Sequence, residues 1–304
     1  MNRSPSARGR ARQWWANPWG KPRFLVLFTA LYLAWSIVPI LIAIRFSFNE
    51  GRSRSTAQGW SLRWYTGDPD LSVLHDSELS SALMQSLRLA AIAVLVTVPL
   101  GVALAIGLTR WRGRGAGTSR AISLATLVTP EIVMGTALLL VIVHLLTFIR
   151  LGTVAQAIGH ITFSLVFVVI IVRGRLLAIG PQYEEAARDL GASRLQALRL
   201  ALLPMLVPAI VASGIIVFAI SMDDFVISAF LSSGTSTDTV PVRIYSQGRT
   251  APTPALNALA TVTLVLTIVI ALAGFLLWRG VRAARGQTGS TVGEFAALDA
   301  DAIR

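Results

Sequence analysis

The chain has 304 residues, 54% of them hydrophobic and only 14% charged, with a formal net charge of +12. A soluble domain cannot bury that much apolar surface, so the composition requires a polytopic membrane protein. Cysteine is absent, which excludes disulfides, thiolate metal sites and cysteine nucleophiles.

Residues 1–22 are polar and arginine-rich, with Trp14, Trp15 and Trp19 close to the first apolar run. This reads as a basic cytosolic arm with an aromatic anchor at the membrane edge. No small-residue cleavage site ends the apolar run, so the segment is not read as a signal peptide. The basic residues cluster beside apolar runs as orientation signals, and no nucleic-acid partner is expected. Lys21 is the sole lysine and lies in no Gly-x-x-x-x-Gly-Lys pattern, so the chain has no P-loop and any ATP hydrolysis belongs to a partner.

Six apolar runs follow. Phe24–Ile44 is free of charge and long enough to cross a hydrocarbon core of about 30 Å. Leu89–Thr109 is the second, Ala121–Ile149 the third and Leu151–Val172 the fourth. Pro130-Glu131 interrupts the third, because proline removes a backbone donor from the helical ladder. Leu200–Met222, extending toward Leu231, is the fifth, and Ala255–Trp278 the sixth. Nineteen of the 27 lysines and arginines fall in residues 1–23, the 110–120 and 173–199 segments and residues 279–304. Six fall in the 48–81 loop, at Arg150 and in the 232–254 loop. The positive-inside rule therefore puts both termini and the 173–199 segment in the cytosol. The tail from Gly286 onward is small and polar, with the composition of a disordered segment.

Three carboxylates stand in apolar surroundings: Glu131, Asp223 and Asp224. Ionised groups at membrane depth cost about 2.5–3.5 kcal/mol each on insertion scales, so they face a bundle interior or an aqueous path. Consecutive helical residues point about 100° apart, so one of the two aspartates faces the path and the other a neighbouring helix. Such acids also serve simply as acceptors for serine hydroxyls, backbone groups or an arginine. His144 and His160 have no second ligand at helical spacing and read as packing or hydrogen-bonding residues, with no metal site. Ser164, Ser213 and Ser221 read as small residues at helix contacts, and no Asp–His–Ser triad has sequence context.

The segment 181–204 is the most informative. Pro181 opens a helix, and Glu184 and Glu185 fall in its first turn, where the helix dipole favours negative charge. Gly191 can take the left-handed conformation that ends it. Ser193 with Gln196 forms a capping box for a second helix that runs into the fifth span at Pro204. Glu185, Ala186, Ala187, Gly191, Ala201, Leu203 and Pro204 together resemble the EAA loop of ABC-importer permeases. Ala201 departs from the larger aliphatic residue usual there. Thr129–Met134, Ser221–Ser228, Val240–Ser246 and Asn257–Thr261 resemble the corresponding segments of spermidine/putrescine permeases, and the resemblance covers about residues 24–280.

That resemblance implies an all-α polytopic membrane protein with a six-span type I ABC-importer permease bundle. Residues 1–22 would be a cytosolic arm, 23–280 the transmembrane domain and 281–304 a cytosolic tail. It implies docking of the EAA loop on a separate ATPase and pairing with a second, similar permease. Two ATPase subunits would use the ATP and Mg, and an extracytoplasmic solute-binding protein would deliver substrate to the 48–81 and 232–254 loops. The chain itself would hold no cofactor and no catalytic residues, and would sit in a bacterial cytoplasmic (inner) membrane. Asp223, Asp224, Glu131 and Tyr245 are the candidates for the substrate path, Tyr245 through cation–π contact near the entrance. Permeases for ferric iron, thiamine or opine-like solutes share the loop; intramembrane acids favour a cation and disfavour sulfate. A secondary transporter would show an internal repeat, and none is evident.

Overall fold

The computed structural model describes residues 23–53, 56–111, 113, 115–250 and 253–284, and no strand occurs among them. In chain order the helices are α1 (Arg23–Ser47), α2 (Ser77–Arg110), α3 (Ala116–Val128), α4 (Glu131–His144) and α5 (Thr153–Ile179). There follow α6 (Gln182–Asp189), α7 (Arg194–Gln196), a π-helical turn (Ala197–Leu202), α8 (Leu203–Asp223), α9 (Val226–Leu231), α10 (Val240–Thr250) and α11 (Pro254–Ala284).

α2, α5 and α8 form the centre, packing mutually through Ala93, Val102, Val168, Val172, Leu206 and Val217. Gly101 permits the closest approach: a Cβ there would lie 2.5 Å from Val168 Cγ1, so any larger residue would push α2 off α5. α4 packs on α9, and Gly159 of α5 lets Ile227 and Leu231 of α9 come close on its other side. α1 packs against α11 but leaves its apolar side chains exposed from Phe24 to Ile42. In water such a helix would be untenable; in a bilayer or against a second membrane subunit it is at home.

Five helices among the described residues are long and apolar enough to cross a membrane: Phe24–Ser47, Ser77–Arg110, Thr153–Ile179, Arg194–Asp223 and Pro254–Gly280. The third predicted run is not one of them. It is two shorter helices, α3 and α4, with the chain extended at Thr129 and Pro130, as the proline demands. The fifth run also stops short: it ends at Asp223 rather than continuing toward Leu231, and Asp224 is extended before α9 begins. α2 starts twelve residues before the predicted Leu89, at Ser77, and its 34 residues span about 51 Å, well beyond a bilayer core. Asp76 stops it on that side by accepting from the backbone N–H of Glu78 at 2.8 Å and Leu79 at 3.2 Å. α11 runs to Ala284, past the predicted boundary at 280; the remaining tail and the arm 1–22 lie outside the described residues.

The end of the bundle bearing Asp76 carries the 48–76 segment. Trp64 is fully buried there among Leu79, Val240, Leu256 and Leu259, with its indole N–H donating to Asn49 O at 2.6 Å. A hydrogen bond from Arg63 holds the Asp68 carboxyl below the usual carboxylate range. The stretch 232–254, expected as a loop, contains α10. Its buried Arg243 donates to Glu78 Oε2 at 2.9 Å and Thr235 O at 3.1 Å, which fastens α10 to the start of α2.

Candidate functional site

The predicted knuckle forms as its local signals require. α6 follows Pro181 with Glu184 and Glu185 in its first turn. Gly191 takes φ +89°, the left-handed conformation, while its N–H donates to Arg188 O at 2.9 Å and that of Ala192 to Ala187 O at 3.0 Å. The capping box is complete: Gln196 N donates to Ser193 Oγ at 3.3 Å and Ser193 N to Gln196 Oε1 at 2.8 Å. Pro204 sits at the start of α8 and cannot donate to Leu200 O; the wider π turn over Ala197–Leu202 absorbs that missing bond without breaking the helix.

No residue of α6 is buried. Tyr183, Ala186 and Leu195 face outward, and Leu190 is 89% exposed beside the hinge. Tyr183, Leu190 and Leu195 thus leave three large apolar side chains uncovered around the turn. Leu190 was not singled out in the sequence; its signal is an apolar residue closing a charged helix just before the hinge glycine. Glu184 makes an ion pair with Arg110 at the end of α2. The pair borders a cleft of about 470 Å³ that also reaches Leu176, Glu185 and Arg188. The knuckle is thereby tied to two central helices as well as to the one it continues.

The second cluster lies where two helix breaks meet. α4 begins at Glu131, immediately after the Pro130 break, and packs on α9, which begins after the Asp224 break. Glu131 is half-buried, and its carboxyl is close enough to Asp223 and Asp224 for their charges to interact. Of the two aspartates, Asp223 is exposed and Asp224 is buried. Phe225 comes next in sequence and packs on Tyr245 of α10, with ring centroids 4.8 Å apart. Tyr245 also carries the Arg249 guanidinium 4.5 Å from its ring centre, so one face already has a cation. The structure thus brings Glu131, Asp223 and Asp224 together, while Tyr245 joins them only through Phe225, the residue after Asp224.

Asp224 is held from inside. Its Oδ2 accepts from Ser228 N and Ser228 Oγ, both at 2.8 Å, which caps α9. Buried His160 of α5 places Nε2 3.0 Å from Ser228 Oγ and 3.2 Å from Asp224 Oδ2, and Nδ1 2.6 Å from Ser221 Oγ. An aspartate, a histidine and two serines therefore meet, and Asp224 takes the role of acceptor for a serine hydroxyl and a backbone group that its sequence setting allowed. The arrangement is unsuited to nucleophilic chemistry: Ser221 is 2% exposed and Ser228 fully buried, so no substrate reaches either hydroxyl. Beside it, Gln156 accepts from Gln85 and donates to Ser228 O and Thr237 O, both at 2.9 Å. His144 is exposed and apart from this cluster, and no group of potential metal ligands occurs among the described residues.

Residues 97–283 match the family described as binding-protein-dependent transport system inner membrane component. The chain is 36% identical over 261 residues to the spermidine/putrescine transport system permease protein PotC of Escherichia coli (strain K12), an alignment covering 86% of this chain and 95% of that one. It is 34% identical over 267 residues to the putrescine transport system permease protein PotI of the same strain, covering 86% and 90%. Among solved structures, a bacterial ABC transporter that imports the acidic polysaccharide alginate superposes with a TM-score of 0.70 at 16% identity, over 90% of this chain and 98% of that one.

Proposed function

The chain belongs to the family of binding-protein-dependent transport system inner membrane components, and from that premise we propose that it is the polyamine-conducting permease subunit of an ATP-driven importer. The observation that carries the substrate class is the meeting of the two helix breaks, with Glu131, Asp223 and Asp224 gathered there. Helix interruptions at membrane depth persist where they line a cavity or are covered by protein, and carboxylates in such a place compensate the lost hydration of an ammonium group. A diamine or triamine offers separated ammonium groups on an apolar chain, which suits acids flanked by Phe225 and Tyr245.

In this reading α3 and α4 together make the third crossing of a six-span bundle, with both termini in the cytosol. A second permease covers the open face bearing Asp223. The knuckle with Glu185, Ala186, Ala187, Gly191, Leu203 and Pro204 docks into one of two ATPase subunits, which bind the ATP and Mg. Leu190 and Tyr183 add apolar contact to that dock. A solute-binding protein delivers substrate to the end formed by Trp64, α10 and the 232–239 segment. The chain performs no covalent chemistry. Uptake of labelled putrescine and spermidine by the complete complex in proteoliposomes tests the reading. Asp223→Asn should lower the maximal rate about tenfold, the scale of one charge-assisted contact, with half-saturation by loaded binding protein unchanged. Unaltered uptake in that variant would remove Asp223 from the path.

A further inference from the structure

We propose that His160, which never reaches the substrate path, is the positioning residue that makes Asp224 a usable cation ligand. The inference rests on the polyamine reading and extends it to a residue behind the path.

Asp224 lies in the extended link between α8 and α9, where no helical hydrogen bond fixes its side chain. Its position is set on one oxygen by two hydrogen bonds from Ser228, with the His160 imidazole standing 3.2 Å behind it. Ser228 N and Ser228 Oγ both donate to Oδ2, so the Ser228 hydroxyl hydrogen is committed to the carboxylate. The Nε2 of His160 then faces only acceptors, Ser228 Oγ at 3.0 Å and Asp224 Oδ2 at 3.2 Å, and must itself be the donor. Ser221 Oγ, 2.6 Å from Nδ1, donates to the remaining nitrogen and fixes the ring plane.

All the donors converge on Oδ2. The other oxygen, Oδ1, is buried and has no hydrogen-bond partner. It belongs to a carboxylate that lies against the half-buried Glu131 carboxyl, a pair of acids in contact at membrane depth. An ammonium group that enters by parting Glu131 from Asp224 makes two charge-assisted hydrogen bonds, one to each carboxyl. Without the imidazole, Asp224 loses one wall of its socket and is free to turn Oδ1 toward Ser228, and the acceptor pair is lost. Asp224 is thus the inner ligand, and the exposed Asp223 attracts the cation from the open face.

The test uses the complete complex with binding protein in proteoliposomes and three variants: His160→Ala, His160→Gln and Ser228→Ala. Putrescine uptake should fall about tenfold in His160→Ala, as for losing one hydrogen bond to a charged group. Half-saturation by loaded binding protein and ATP hydrolysis stimulated by it should stay within about twofold. His160→Gln, whose amide can donate in place of Nε2, should recover uptake to within about threefold of the parent. Ser228→Ala, a small change in volume, should lose uptake by about threefold or more with assembly intact. Parental uptake in both His160→Ala and Ser228→Ala would overturn the assignment. So would failure of His160→Ala to assemble while Ser228→Ala transports normally, since the histidine would then be purely structural. An error in the polyamine reading shows differently: the parent complex itself would take up neither putrescine nor spermidine.

Discussion

Gly191 offers the cleanest perturbation of the knuckle. Its φ of +89° lies where only glycine is unstrained, yet a Cβ built there meets nothing within 4 Å. Steric contact with neighbours therefore contributes nothing, and the whole effect of substitution is backbone conformation. Alanine in the left-handed region costs about 1–2 kcal/mol, which shifts the population of the turn about 5- to 30-fold. Asparagine tolerates that region better, and a β-branched residue tolerates it worst. The expected order of coupling is glycine, then Gly191→Asn, then Gly191→Ala, then Gly191→Val. Because α6 contributes no buried residue, membrane insertion and complex stability in the absence of ATPase should be unchanged across the series. The assay is retention of the ATPase subunit on the purified permease, followed by ATP hydrolysis stimulated by loaded binding protein. A Gly191→Val variant that retains the ATPase and hydrolyses ATP like the parent would refute the idea that this turn sets the docking geometry.

The Arg110–Glu184 pair should behave as a mechanical link between α2 and the knuckle: Arg110→Glu and Glu184→Arg should each reduce transport, and the double swap should restore a substantial part of it. Additive losses in the double variant would show that the two side chains act independently. Orientation is open to thiol mapping because the chain has no native cysteine. Cysteine placed at the exposed Ser236 should react with an impermeant reagent outside intact cells, and cysteine at the exposed Ser193 should be protected; external labelling at 193 would reverse the topology.

The features that could be read in the sequence were those fixed locally. The Gly191 turn, the Ser193–Gln196 capping box and the Pro130 interruption each depend on residues within four positions, and each forms as expected. The break after Asp223 could not be read in that way. Met222-Asp-Asp-Phe-Val carries no proline or glycine, and the apolar run continues on the far side. What stabilises the break is the capping of Ser228 by Asp224 and the support of His160 from 64 positions away, a partnership that exists only once α5 lies beside α8. For the same reason the sequence names no partner for His160, and Ser221 reads there only as a small residue at a helix contact. α10 was hidden by its polar sequence; its stability comes from Arg243 reaching Glu78, 165 residues earlier.

The Asp223–Val226 break has a further consequence, for how the path can be mapped. The last turn of a helix leaves main-chain carbonyl oxygens without intrahelical donors, and its dipole places partial negative charge at that end. In α8 these are the oxygens of Ile220 to Asp223, presented beside the acidic cluster. No side-chain substitution deletes a carbonyl. On the proposed path, a scan by alanine therefore undercounts the groups available to a cation. Main-chain oxygens are also indifferent to the length of an amine, so the proposed function carries the expectation that diamine and triamine pass alike, with the carboxylates setting only the sign of the charge.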